Sequence, residues 1–210
     1  MQDSSYFTHL RTDVLAMVPE SARSFLSVGC GSGRTEAELV KRGATVVGIE
    51  IDHNASDEAR ANGLEMIEGD AVAIADALRE RRFDCLIYAD ILEHLADPVA
   101  MVREHLHSLD PGGCVIVSIP NFRHIEVLRQ LFVFGHIRYA DSGILDRTHL
   151  RITTRKLVQE WFGELGLTCE RVDYQLWRKR DRVWAGLSLG LLREFVSAQV
   201  VLRGVKAGGG

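Results

Sequence analysis

The stretch that decides the fold is Phe25-Leu26-Ser27-Val28-Gly29-Cys30-Gly31-Ser32-Gly33. An apolar run enters three glycines, and Thr35-Glu36-Ala37-Glu38-Leu39-Val40 then reads as helix. This is the pattern of a buried strand, a tight turn and a helix start. A turn with almost no side chains lets a ligand lie against the backbone. Twenty-one positions after Gly29 stands Glu50, closing the second apolar run Thr45-Val46-Val47-Gly48-Ile49. A carboxylate there can accept both hydroxyls of a ribose. The two features together point to a nucleoside-bearing cofactor.

Further along, apolar β-rich runs alternate with helical patterns. Strands are expected at 24–29, 45–51, 64–68, 83–89 and 113–119, with helices near 34–42, 54–62, 71–80 and 97–108. All five strands are nearly continuous apolar runs, as a parallel sheet covered on both faces requires. Gly43 stops the first helix. Asp97-Pro98 opens the fourth as N-cap and first helical residue. Asp110-Pro111-Gly112-Gly113 reads as a turn feeding the fifth strand. After Pro120 come a helix near 124–134, an irregular charged stretch from Gly135 to Ile152, and a helix near 154–165 stopped by Gly166. Ile125, Leu128, Leu131 and Phe132 share one face of the first; Leu157, Trp161 and Leu165 point inward from the second. Strand 167–176, helix 181–194 and strand 198–206 close the chain. The expectation is an α/β, doubly wound, Rossmann-like fold. Its seven-stranded, mostly parallel sheet has helices on both faces and an antiparallel last strand. Residues 1–207 form one domain and 208–210 a flexible tail.

The composition fits an ordinary globular domain: 210 residues, 46% hydrophobic and 26% charged. The net charge of −4, with signs interspersed, disfavours a nucleic-acid partner. Cys30, Cys85, Cys114 and Cys169 lie far apart, and no pair has metal-ligand spacing. They read as small core residues in a reducing compartment. The polar N-terminus does not read as a signal peptide, and no run approaches the ~20 apolar residues of a bilayer span. No metal-ligand cluster stands out, although Asp and His residues converge on the expected site, and the expectation is no metal. The cytoplasm is the expected location, with contact at the inner membrane surface as an alternative.

The glycine spacing bears on the cofactor. A nicotinamide fingerprint is G-x-G-x-x-G, its third glycine letting helix approach strand. Here the spacing is G-x-G-x-G and Arg34 stands at that third position. A phosphate loop fails because no Gly-Lys-Ser/Thr follows. Three further elements lie at strand ends: Glu68-Gly69-Asp70-Ala71, Asp90-Ile91-Leu92-Glu93-His94-Leu95-Ala96-Asp97-Pro98, and Leu109-Asp110-Pro111-Gly112-Gly113. With V-G-C-G-S-G and G-I-E-I-D, these resemble the class I S-adenosylmethionine-dependent methyltransferases in motif order, over roughly residues 6–170. The resemblance implies that Gly29, Cys30, Gly31 and Gly33 cradle the methionine end of S-adenosylmethionine. It implies that Glu50 holds the ribose, Ile51 packs on adenine, and Asp70 and Ala71 bind the adenine edge. Asp90 and Ile91 would lie beside the sulfonium. Arg11, preceded by Tyr6-Phe7, loosely matches a cap over the cofactor carboxylate. The product would be S-adenosylhomocysteine. Each residue also has a plainer role open to it. Asp70 and Asp90 can be helix caps, Glu50 a solvated strand end, and the glycines a mere turn.

The acceptor is less legible. Ser118 to His124 and Gly143 to Arg151 look like a bacterial subgroup associated with glycan biosynthesis. That implies O-methylation of a sugar or related small metabolite, free or lipid-linked. The region about 121–152 would be the lid over the carboxyl ends of the strands. Methyl transfer from a sulfonium needs mainly alignment, but a hydroxyl must also lose its proton. Histidine suits that role at neutral pH. His149 is the expected base, oriented by Asp146, with His94 or His124 in reserve. A structural hydrogen-bond knot is the alternative for Asp146, Arg147 and His149. Arg123, Arg138 and Arg147 could read an anionic acceptor. Large apolar groups at 128–134 and 183–192 suit core packing, a homodimer or a lipid-linked substrate. The rival functions are N- or carboxyl-methylation of a small acceptor, a non-catalytic cofactor-binding scaffold and, more distantly, a nicotinamide dehydrogenase.

Overall fold

The computed structural model describes residues 10–71, 73–176, 181, 183, 186, 188 and 190–207. Seven strands form one sheet: β1 Ser24–Val28, β2 Thr45–Glu50, β3 Glu65–Glu68, β4 Phe83–Ala89, β5 Leu109–Pro120, β6 Leu167–Gln175 and β7 Gln199–Lys206. Their order is β3-β2-β1-β4-β5-β7-β6. The first five run parallel, and β7 is antiparallel to both of its neighbours, β5 and β6. The expected doubly wound, mostly parallel sheet with an antiparallel last strand is therefore the fold.

The continuous apolar runs are explained by burial on both faces. Successive strand side chains point to opposite sides. Leu26, Val28, Leu86, Tyr88, Val115 and Val117 line one side, with Met101 and Val102 from α4 (Pro98–His105) and Val158, Trp161 and Phe162 from α6 (Arg155–Glu164). Phe25, Cys85, Ile87, Cys114 and Ile116 line the other. There they meet Val14 and Leu15 of α1 (Thr12–Leu15), Leu39 of α2 (Glu36–Lys41) and Ala59 of α3 (His53–Ala61). Caps set the helix starts. Asp52, Asp97 and Thr154 accept from the backbone N–H of Ala55, Ala100 and Leu157 at 2.9, 2.9 and 3.3 Å. All four cysteines are free thiols, two buried and two half-buried. No helix among the described residues is long and apolar enough to cross a membrane.

The structure departs from the expected elements in three places. The described residues of 71–80 do not form an α-helix; among them there is a 3-10 turn, Ala75–Leu78. Asp70 Oδ1 accepts from Ala73 N, and the Ala71 carbonyl accepts from His105 Nε2 at 3.0 Å. Side chains thus close this segment as a turn. Asp110–Gly113 lies inside β5 rather than before it, accommodated by a register shift against β4 and φ +78° at Gly112. The helix near 124–134 is α5, Ile125–Phe132, but only Val127 on it is buried. Ile125, Leu131 and Phe132 are exposed, Phe132 at 79%. The expected helix 181–194 falls largely outside the described residues; its last part is α7, Arg193–Val196. Tyr6, Phe7 and the 208–210 tail also lie outside them.

Candidate active site

The strand order reverses between β1 and β4, which opens a crevice outside their carboxyl ends. The glycine turn follows β1 there. Gly29, Gly31 and Gly33 have φ of +68°, +53° and +67°, a region that side-chain-bearing residues rarely adopt. Gly29 N donates to Ile49 O at 2.8 Å, tying the turn to β2. A Cβ at Gly29 would stand 3.0 Å from Ile91 Cδ1, so the turn and the segment after β4 meet here. Gly33 has a packing role beside the one the resemblance implied. A Cβ there would fall 2.9 Å from Leu64 Cδ2 and 3.0 Å from Ala59 Cβ. Its bareness serves the packing of α3, the job that the third glycine of the nicotinamide spacing would do. Burial, then Glu36 and Glu50, push the Cys30 thiol up, so it stays protonated and unreactive.

Glu50 ends β2 beside this turn. Its Oε2 accepts from Gly31 N at 2.9 Å, and its Oε1 accepts from Ile51 N and Asp52 N at 2.9 and 3.1 Å. A carboxylate has about four acceptor sites, so capacity for a hydroxyl donor remains on Oε2. Ile51 next to it is 75% exposed, an apolar side chain offered at a strand end where a flat ring would cover it. Asp70 is exposed and caps its own turn, while Ala71 packs on the core beneath.

Asp90 is the one non-glycine residue with positive φ, +56°, among the described residues. Such strain costs about 1–3 kcal/mol and persists only where its surroundings fix it. Here they do. Asp90 N donates to Ser118 O at 3.0 Å. Oδ1 accepts from Ser118 Oγ at 3.1 Å and from Gln199 Nε2 at 2.8 Å. Oδ2 pairs with Arg11 Nη1. Arg11 also reaches Asp13 and Ser118 Oγ, at 2.7 and 2.6 Å, and its backbone N donates to Thr35 Oγ1 at 3.0 Å. Burial works against the Arg11 charge, but Asp90 and Asp13 overcome it and raise the pKa. Arg11 is therefore the clamp on Asp90 and the link from the N-terminal segment to the glycine turn. Asp13 and Gln199 carried no signal in the sequence, because their meaning is only the meeting of three strand ends and α1.

The 3-10 turn Leu92–His94 follows. Glu93 is only 1% exposed and its Oε2 has no hydrogen-bond partner. Burial, reinforced by Asp90, drives its pKa well above the ordinary carboxylate range. Across from it the segment 143–151 brings in His149, whose ring centroid is 4.9 Å from that of His94. Leu150 N and Arg151 N donate to Glu93 O at 2.9 and 3.2 Å, stapling the two segments together. His94 Nδ1 meets Thr148 O at 3.3 Å and His149 Nδ1 meets Ile144 O at 3.0 Å. The fold thus assembles Glu93, His94 and His149, with one possible ligand atom from each within 4.8 Å of the others. No spacing rule could show this cluster, because His149 lies far in sequence from Glu93 and His94. The Asp146 carboxylate does not take the His149 ring as expected, although His149 N donates to Asp146 O at 3.2 Å. Asp146 Oδ1 accepts instead from Thr148 N and Oγ1 at 2.8 and 2.7 Å, and those bonds outweigh desolvation to lower its pKa. His124 Nδ1 accepts from Glu126 N and caps α5, which makes it a poor reserve base. Arg123 and Arg147 are paired with Glu194 and Asp141.

A cavity of about 280 Å³ lies alongside, lined by His124, Glu126, Val127, Gln130, Ile144, Leu145, Gln175, Asp181 and Ala198. Its wall meets the site at Ile144, whose carbonyl faces His149 Nδ1.

Comparison with known proteins agrees with this geometry. Residues 26–117 match the family described as "Methyltransferase domain". A ubiquinone biosynthesis O-methyltransferase of Xylella fastidiosa strain 9a5c is 38% identical over 177 residues, 79% of this chain and 70% of that protein. A second, from strain M23, is 32% identical over 190 residues, 85% of this chain and 76% of that one. A crystal structure of a SAM-dependent methyltransferase from Archaeoglobus fulgidus superposes with TM-score 0.69 at 16% identity, covering 97% of this chain and 95% of that one. Magnesium protoporphyrin IX methyltransferase from Synechocystis, with bound S-adenosylhomocysteine, gives 0.65 at 16% identity, over 97% and 83%. The chain belongs to the class I S-adenosylmethionine-dependent methyltransferases. Its cofactor is S-adenosylmethionine, which supplies an electrophilic methyl group on a sulfonium. The positive-φ glycines, the Glu50 carboxylate and the bare face of Ile51 suit its three parts: amino-acid tail, ribose and adenine.

Proposed function

We propose that this methyltransferase transfers its methyl group to a hydroxyl oxygen of a small acceptor, a sugar or related polyol of glycan biosynthesis. The observation that carries the oxygen is the His94–His149 pair just beyond Asp90. An alcohol must lose a proton as it attacks, and this face is built to manage one. Both rings hold their Nδ1 toward backbone carbonyls, which leaves Nε2 of each as the nitrogen that can take a proton. Burial, then His149, lowers the His94 pKa and keeps that ring neutral. Arg11, Ser118 and Gln199 fix Asp90, so it presents a rigid wall against which the acceptor aligns. The sugar rests on the resemblance of segments 118–124 and 143–151.

A second reading follows from the Xylella relatives, whose name is ubiquinone biosynthesis O-methyltransferase. The acceptor would then be a ring hydroxyl bearing an apolar tail, and exposed Phe132, Val133 and Phe134 would be where the tail lies. The test is product formation by mass spectrometry with S-adenosylmethionine and two acceptor panels, one of sugars and sugar nucleotides, one of phenols and catechols. Methyl ethers in the first panel are expected. Ethers in the second panel alone would replace the sugar reading by the aromatic one. N-methyl or ester products alone would overturn both.

A further inference from the structure

We propose that Glu93, His94 and His149 hold a divalent cation of the manganese(II)-to-zinc(II) series, open on its remaining positions to the acceptor oxygen. The proposal rests on the O-methyl reading for its chemistry but not for its existence. The first observation is proximity: one carboxylate oxygen and one nitrogen from each ring lie within 4.8 Å of one another. The second is the orphaned carboxylate. Glu93 is 1% exposed and its Oε2 has no partner. The nearby cation, Arg11, is engaged with Asp13 and Asp90. An ionised buried carboxylate needs a counter-charge, and a neutral one needs a partner for its O–H. A metal ion answers both. The third is the set of outer bonds. Each imidazole gives Nδ1–H to a backbone carbonyl, Thr148 O or Ile144 O. That is how metal-bound histidines are oriented, and it leaves the Nε2 lone pairs free to coordinate. The staple from Leu150 N and Arg151 N to Glu93 O holds both segments in place before any ion arrives.

Two imidazoles and one carboxylate suit the manganese-to-zinc series better than calcium or magnesium, which favour all-oxygen sites. Three protein ligands leave open positions. A hydroxyl bound there has a lowered pKa and releases its proton to water. The oxygen then forms its bond to the methyl carbon as the carbon–sulfur bond breaks, its electron pair staying on sulfur. His94 and His149 thus serve as ligands, and the cation does what a lone imidazole base would otherwise do.

The experiment is calorimetric titration of zinc(II) and of manganese(II) into chelator-stripped full-length protein, without cofactor or acceptor. One site per chain is expected for at least one of the two ions. Binding should fall at least tenfold in His149→Ala and in Glu93→Gln, the second chosen because it keeps the buried shape. His53→Ala serves as control, since His53, Asp57 and Glu68 form a separate exposed group. No saturable binding, unchanged binding in both site variants, or loss only in His53→Ala would overturn the proposal. So would O-methyl product at full rate from chelator-stripped enzyme. Stoichiometric binding with only N-methyl or ester products would sink the O-methyl reading and leave the site standing.

Discussion

Replacing Glu50 by Gln tests the cofactor site at one atom. The wild-type carboxylate accepts from Gly31 N on one oxygen and from Ile51 N and Asp52 N on the other. Gln keeps the shape but has one acceptor oxygen. If that oxygen faces Ile51 and Asp52, the new NH2 group faces the Gly31 N–H. A buried donor left without a partner costs about 1–3 kcal/mol, which loosens the glycine turn. The ribose hydroxyl also loses a charge-assisted bond worth about 1.5–3 kcal/mol. At about 1.4 kcal/mol per decade, the cofactor dissociation constant should rise roughly ten- to a hundredfold. In a protein of this size the turn penalty lowers the melting temperature by about 2–4 °C per kcal/mol. The assay is calorimetric titration with S-adenosylhomocysteine well below the melting point, beside a thermal denaturation curve. A folded Glu50→Gln protein with affinity within about threefold of wild type would refute the ribose assignment.

Other outcomes follow from the same geometry. Gly33→Ala must adopt φ +67° and push Leu64 and Ala59, costing about 2–5 kcal/mol. Gly43→Ala, at φ +84° with open space around it, should lose only about 1–2 kcal/mol; equal losses in denaturant would refute the packing role. His149→Ala should lower turnover about a hundredfold or more with cofactor affinity unchanged; full turnover would remove His149 from the chemistry. Tyr88 OH meets His105 Nδ1 at 2.9 Å, and His105 Nε2 donates to Ala71 O. Burial holds the His105 pKa below its ordinary 6.5, so the folded state binds fewer protons than the unfolded. Its stability contribution is present above pH 6.5 and is lost as pH falls through the lowered value. Tyr88→Phe should cost about 1–3 kcal/mol at pH 7.5 and leave that acid slope in place, since the burial that causes it is unchanged; a variant as stable as wild type in melts at pH 7.5 would refute the pairing.

How much of this was legible depends on how far apart the interacting residues lie. The parallel sheet was legible because its signal is local: unbroken apolar runs such as Leu86-Ile87-Tyr88, closed by caps and glycines. The segment 71–80 misled because its helical pattern meets His105, a distant side chain that takes the Ala71 carbonyl. The apolar stripe of α5 misled likewise. Periodicity reports that a face is apolar but not what stands opposite it.

By itself the sequence determined the strand–turn–helix at Gly29 to Gly33, the acid at Glu50 and hence the class of cofactor. Those features depend on backbone conformations and spacings within one or two elements. Only the tertiary structure decided that Arg11 clamps Asp90, that Gln199 reaches it from the last strand, and that Glu93 and His94 face His149. These are encounters between segments 50 to more than 100 residues apart. Nothing local encodes them; they exist because the sheet sets β4, β5 and β7 side by side and brings their ends together.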